Sequence, residues 1–198
     1  MTPELGRTDV SVAPVSFAQE RLWLIDQSAP GSPTYSVPML LHWAGRVDLA
    51  ALRTALDGLV ARHDALRTSY QLRGDRVVQV VAERHVVPLA VLDGVTDVRA
   101  DALRCAREGF DLAAAPPVRC VLWRGGPDGD TVLLLIHHIA VDGWSLVPLF
   151  EDLTELYRAA LAGELPTPSP DGHRYLDYAE WDRQLFEDPA LREQLRRR

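Results

Sequence analysis

The chain has 198 residues, 47% of them hydrophobic and 25% charged, with a formal net charge of −7. That length and apolar content predict a globular fold with a real core, needing neither disulfides nor a structural metal, and exclude a disordered chain. No basic face is clustered as nucleic acid requires, no apolar run reaches membrane-spanning length, and no secretory leader opens the chain. The expectation is a soluble, cytoplasmic protein without nucleic-acid or membrane partners.

Residues 1–14 read as a leader. Ser16-Phe17-Ala18-Gln19 has the spacing of a capping box, so a helix is predicted from there to about Gln27, broken by the Pro- and Gly-rich stretch 29–33. Tyr35 to Ala44 reads as a strand. Asp48 caps a second helix, with Leu49, Leu52, Leu56, Leu59 and Val60 at helical spacing. Leu66–Leu72 and Arg76–Ala82 form a hairpin across Arg73-Gly74-Asp75. A helix is predicted over Asp97–Gly109, then a second hairpin from Val118–Arg124 and Thr131–Ile136. The strongest helical stripe follows, from Leu146 to Leu161, with Ser145 as its N-cap and Gly163 as its end. Residues 164–173, with three prolines, read as a linker. The span 174–198 holds a last amphipathic helix, packed by Tyr175, Asp177 and Trp181, and ends in a basic tail. Strands alternating with helices predict an α/β sandwich. Cys105 and Cys120 read as small buried hydrophobes.

The densest chemistry lies in His137-His138-Ile139-Ala140-Val141-Asp142-Gly143, where the apolar strand 132–136 hands over to the strongest helix. Three readings are open. The polar residues could simply finish a strand. His137, His138 and Asp142 could bind a metal, but adjacent residues leaving a strand point to opposite faces and no further ligands stand nearby, so no metal is expected. The third reading is acid–base catalysis. One imidazole would face a cleft and the other would pack inward. Asp142 would hold the turn as an ion pair. Gly143 would let the backbone approach a ligand, its N–H facing a developing oxyanion.

The pattern HHxxxDG resembles the hallmark of the condensation domains of nonribosomal peptide synthetases. The likeness extends along the chain: Ser16–Gln27 is similar to the family's first motif and Arg62–Tyr70 to its second, with Asp64 where Glu is more usual. Phe110–Arg124 resembles the stretch before the His motif, and Tyr175–Gln184 the fourth motif. The resemblance implies a chloramphenicol acetyltransferase-like two-layer sandwich, here a single lobe with a mixed sheet covered by helices. It implies amide formation between an acyl or peptidyl thioester on one carrier protein's phosphopantetheine arm and an aminoacyl amine on a second carrier. His138 would be the catalytic residue and His137 structural. Asp142 would pair with Arg62 or another arginine. Gly143 would line the site, flanked by Trp144 and Ser145, with Ser16 and Arg62 bordering the cleft. No cofactor would be bound directly.

A full condensation domain is about twice this length, so the chain is expected to be the N-terminal lobe. A C-terminal lobe and two peptidyl carrier proteins would be its partners, and the isolated piece would be inactive. An epimerization domain shares the motif, but Gly143-Trp144-Ser145 looks more like condensation. Heterocyclization and recruitment-type relatives are disfavoured by the intact His pair, and a starter-type domain stays open. Two further readings are a non-catalytic carrier-docking module and a stand-alone acyltransferase completed by neighbouring subunits.

Overall fold

The computed structural model describes residues 10–126, 128–164 and 174–187. Its centre is a four-stranded mixed sheet of order β2-β7-β6-β5, formed by β2 (Ser36–Ala44), β5 (Leu89–Asp93), β6 (Val118–Gly126) and β7 (Gly129–His137). β7 lies inside this sheet, antiparallel to β2 and to β6, while β5 runs parallel to β6. A separate antiparallel sheet of order β1-β4-β3 joins β1 (Val10–Pro14), β3 (Thr68–Arg73) and β4 (Arg76–Ala82).

Both faces of the mixed sheet are covered, which is why Val132 to Ile136 are all buried although they alternate in direction. Val132, Leu134 and Ile136 pack into the cluster made with α2 (Leu49–Arg62) and α4 (Leu146–Leu161). Leu133 and Leu135 face the opposite cluster, which holds Trp23 of α1 (Phe17–Ser28), Cys105 of α3 (Val98–Ala106), and Tyr70 and Val77 of the second sheet.

The caps of the first two helices are read correctly from the sequence, and α3 has one of the same kind in Asp97. Ser16 Oγ accepts the Gln19 N–H at 3.1 Å while Gln19 Oε1 accepts the Ser16 N–H at 2.9 Å. Asp48 accepts from Ala51 N–H and Asp97 from Ala100 N–H, each at 2.8 Å. Both cysteines are buried and unpaired with each other, and burial pushes their thiols up, Cys120 to about 12. Among the described residues no helix is long and apolar enough to cross a membrane.

Three features differ from expectation. The leader reading fails at Val10–Pro14, which pairs with β4 from Val10↔Ala82 to Pro14↔Val78. Val10 and Val12 are exposed, so backbone pairing rather than an apolar face makes this strand. β5 was not anticipated: it is short and half-exposed, and its pairing with β6 comes only after α3 has intervened. The strands also divide between two sheets. The linker reading and the basic tail fall largely or wholly outside the described residues. Within the last segment, α5 (Tyr175–Glu187) buries Leu176 and Ala179, while Asp177 and Trp181 are exposed.

Since β7 is covered on both sides, Leu134→Ala and Leu135→Ala are expected to cost similar stability, about 3 kcal/mol each, in urea denaturation. The exposed Leu40→Ala on β2 is expected to cost under about 1 kcal/mol. A Leu135 variant as mild as the Leu40 variant would contradict the two-faced packing.

Candidate active site

β7 delivers the two histidines to opposite sides. The strand is flanked by β6 and β2, so successive backbone N–H groups reach opposite neighbours. The His137 N–H donates to Pro117 O at 3.0 Å and the His138 N–H to Tyr35 O at 2.8 Å. His137 continues the Leu133–Leu135 direction, and its residue is only 1% exposed. Its ring lies 6.0 Å from Phe110 and 6.2 Å from Tyr35, centroid to centroid. Its Nδ1 accepts the Ile139 N–H at 3.1 Å, which holds the turn. That acceptor role needs the unprotonated nitrogen, and burial followed by the nearby His138 pushes the ring's pKa down to about 4.

His138 is exposed and lines a cleft of about 270 Å³ together with Gln19, Arg21, Tyr35, Ser145 and Tyr175, among others. Asp142 lines the same cleft. Its Oδ1 accepts from the Ser145 hydroxyl at 2.5 Å, the Ser145 N–H at 2.8 Å and the Trp144 N–H at 3.1 Å. Those donors, led by the hydroxyl, hold its carboxyl below the usual range. The Asp142 N–H in turn donates to Ser145 Oγ at 3.2 Å.

The ion pair expected at Asp142 is not formed. Arg62 does not pair with Asp142, nor does any other arginine among the described residues. Arg62 sits in the last turn of α2 against α4, where Nη1 meets Asp152 and Nη2 meets Glu155, both at 2.7 Å. Asp142 has no need of it, because the local donors at the start of α4 satisfy the carboxylate. Ser145 stands at the N-cap position of α4, as expected, but with helical backbone angles and no capping hydrogen bond from its side chain. Asp142, three residues ahead, instead accepts the Trp144 and Ser145 N–H groups that lead into the helix, in the manner of an Asx turn.

Of the remaining expected residues, Ser16 is fully buried as the cap of α1, its Oγ 2.9 Å from the Tyr175 hydroxyl. Trp144 is 91% exposed and does not line the His138 cleft; Arg62 lines an adjoining cleft instead. Gly143 has no left-handed φ, and a Cβ there would meet nothing within 4 Å of it. Its own chain therefore does not require a glycine, and its N–H has no acceptor among the described residues. His137, His138 and Asp142 form no metal-binding cluster. A larger cleft of about 730 Å³ runs along α4 past Arg62, Glu151 and Arg158 and contains none of residues 137–143.

Sequence reasoning missed Gln19, Arg21 and Tyr35 as neighbours of His138 and left Tyr175 as packing. Tyr35 could be found from strand register, since β2 pairs Ser36 with His137. The other three arrive through the packing of α1 and α5, which no local pattern encodes.

A family model described as "Condensation domain" matches residues 10–196. A probable non-canonical nonribosomal peptide synthetase from Salinispora arenicola is 41% identical over 177 residues, covering 89% of this chain and 2% of the relative. A dimodular nonribosomal peptide synthase from Bacillus subtilis is 42% identical over 183 residues, covering 87% of this chain and 7% of the relative. Among solved structures, the X-domain from teicoplanin biosynthesis superposes with a TM-score of 0.81 at 29% identity, over 94% of this chain and 40% of that one. The starter condensation domain of rhizomide synthetase superposes at 0.78 and, at 24% identity, speaks to the fold alone; 93% of this chain and 46% of that one are covered. The fold class is thus chloramphenicol acetyltransferase-like, and the chain spans under half of the solved structures it matches.

The buried neutral imidazole has a pH consequence. An unfolded histidine ionises near 6.5, the folded His137 near 4, so between these values the unfolded chain binds more protons. This group's contribution is complete above pH 6.5 and declines as pH falls toward 4, by about 3 kcal/mol in all. His137→Asn, which keeps an acceptor near Ile139, is expected to be less acid-sensitive over that window in urea titrations. An unchanged slope would contradict the assignment.

Proposed function

The chain belongs to the condensation-domain family, and on that basis we propose that it supplies the His138 side of a site that joins a carrier-bound acyl or peptidyl thioester to a carrier-bound aminoacyl amine. The observation that carries this reading is the split of the pair: His138 stands exposed in a cleft while His137 is buried and pinned to the turn. A cleft imidazole on a rigid mount is suited to proton transfer and positioning, and no nucleophile is needed, because the amine itself attacks.

The chemistry balances without any further reactant. The amine nitrogen attacks the thioester carbonyl carbon, a C–N bond forms, and the C–S bond breaks. His138 positions the amine, takes the proton it loses and passes it to the departing sulfur. The Gly143 N–H, which has no acceptor among the described residues and is next in the chain to the cleft-lining Asp142, is the donor we assign to the carbonyl oxygen as it gains charge. Asp142 and Ser145 keep that backbone in place. The phosphopantetheine arms arrive as parts of the substrates, delivered by donor and acceptor carrier proteins, and a cytoplasmic location goes with this reading.

We further assign the chain to one lobe of the full domain, the N-terminal one. His138 lies in an open cleft, and positioning, worth about 7–11 kcal/mol of a barrier when complete, needs a second wall.

In the multidomain protein that carries this chain, His138→Gln is expected to lower amide formation by 100-fold or more. The readout is mass-spectrometric product detection from loaded carriers, with the thermal midpoint unchanged. A docking module without chemistry would keep product formation in that variant. The 198-residue chain alone, mixed with both loaded carriers, is expected to yield no amide; measurable product would refute the one-lobe assignment.

A further inference from the structure

We infer that Tyr175 is a specificity-determining partition, which closes the His138 cleft against a second, adjoining cleft and so limits the length of the acyl chain the site accepts. This rests on the proposed function and adds the substrate class, an uncharged acyl chain. The two clefts, of about 270 and 380 Å³, share Ala140, Val141, Ser145 and Tyr175 as lining. Ala140 and Val141 belong to the motif, and Ser145 follows it at the entrance to α4. Tyr175 alone comes from α5, and it is the bulkiest of the four.

The ring is fixed in that place from both sides. Its hydroxyl lies 2.9 Å from Ser16 Oγ, itself held as the buried cap of α1. Next to it in the chain, Arg174 Nε donates to Asp64 Oδ2 at 3.2 Å, on the wall of the second cleft. Farther along α5, Asp182 accepts the Phe17 N–H at 2.8 Å, and Arg183 bonds both Val15 O and Glu20, each at 2.6 Å. The start of α5 therefore cannot swing freely, and neither can the tyrosine it carries.

The chemistry of the second cleft follows from what is already paired in it. Arg62 is engaged by Asp152 and Glu155, His63 by Asp152, and Asp64 by Arg174. The open part of its wall is largely apolar, from Ala65, Ala140, Pro148 and the Tyr178 ring, with Leu66, Val141 and Leu149 buried behind it. Arg62, His63, Asp64 and Arg174 each already have a partner of opposite sign, and methylenes would gain there by leaving water.

The test uses the multidomain protein carrying this chain, as wild type, Tyr175→Phe, Tyr175→Ala and Tyr175→Leu. Acyl-pantetheine thioesters from acetyl to octanoyl are titrated by calorimetry, and amide formation with an aminoacyl-pantetheine acceptor is followed in parallel. Wild type and Tyr175→Phe are expected to stop gaining affinity after a short chain. Tyr175→Ala is expected to go on gaining, about fourfold per added methylene over the next two or three. Tyr175→Leu carries the same test, with a smaller extension, if the alanine variant does not fold. A folded Tyr175→Ala or Tyr175→Leu protein with the wild-type length profile overturns the partition. Wild-type protein that makes no amide, yet whose length profile shifts in the variants, overturns the catalytic reading and supports the partition.

Discussion

The site depends on the pairing of β7 up to its last residue. An inner strand of a sheet has a partner for the N–H on either side, and here that pattern runs into the motif itself: His137 is tied to Pro117 and His138 to Tyr35. The two imidazoles are therefore held apart by the sheet rather than by contacts of their own. One continues the buried face of Leu133 and Leu135, and the other is released at the turn into open space. Had β7 been an edge strand, one of these two ties would have been absent and the direction of His138 left to a mobile loop.

Beyond the turn, the order comes from a single carboxylate. Asp142 gathers two N–H groups and a hydroxyl at the entrance to α4, so the helix begins at a fixed distance from the histidines. The long-range ion pair expected for this residue is made elsewhere. Arg62 uses its charge to join α2 to α4 beneath the site. The division is physically economical. A short-range acceptor sets the loop, where a displacement of an ångström matters, and the arginine sets the packing of two helices, where direction matters less.

The α5 segment connects these local devices to the start of the chain. It crosses to Val15, Ser16, Phe17 and Glu20 through Tyr175, Asp182 and Arg183, and the Phe17 and Phe186 rings meet edge to face at 4.7 Å. This gives the capping serine of α1 a second task. Its hydroxyl both ends a helix and positions an aromatic ring at the cleft.

Much was legible from residues alone, because it rests on short-range physics. The caps at Ser16 and Asp48, the two hairpins, the α4 stripe and the inward and outward split of the His pair all follow from period and hydrogen-bond spacing within a few residues. Tertiary structure decided what sequence spacing does not encode. β1 is a strand because a distant backbone offers it a partner, its Val10 and Val12 being exposed, and the short apolar run of β5 becomes one by pairing with β6 and setting Leu89 and Val91 on the core. Arg62 faces Asp152 and Glu155, 90 and 93 residues away, because α2 and α4 share a sheet face. Tyr175 meets Ser16 across 159 residues for the same kind of reason. Hydrogen bonds between near neighbours are written in the local pattern, whereas those between remote segments exist only once burial of the two sheet faces has brought the segments together.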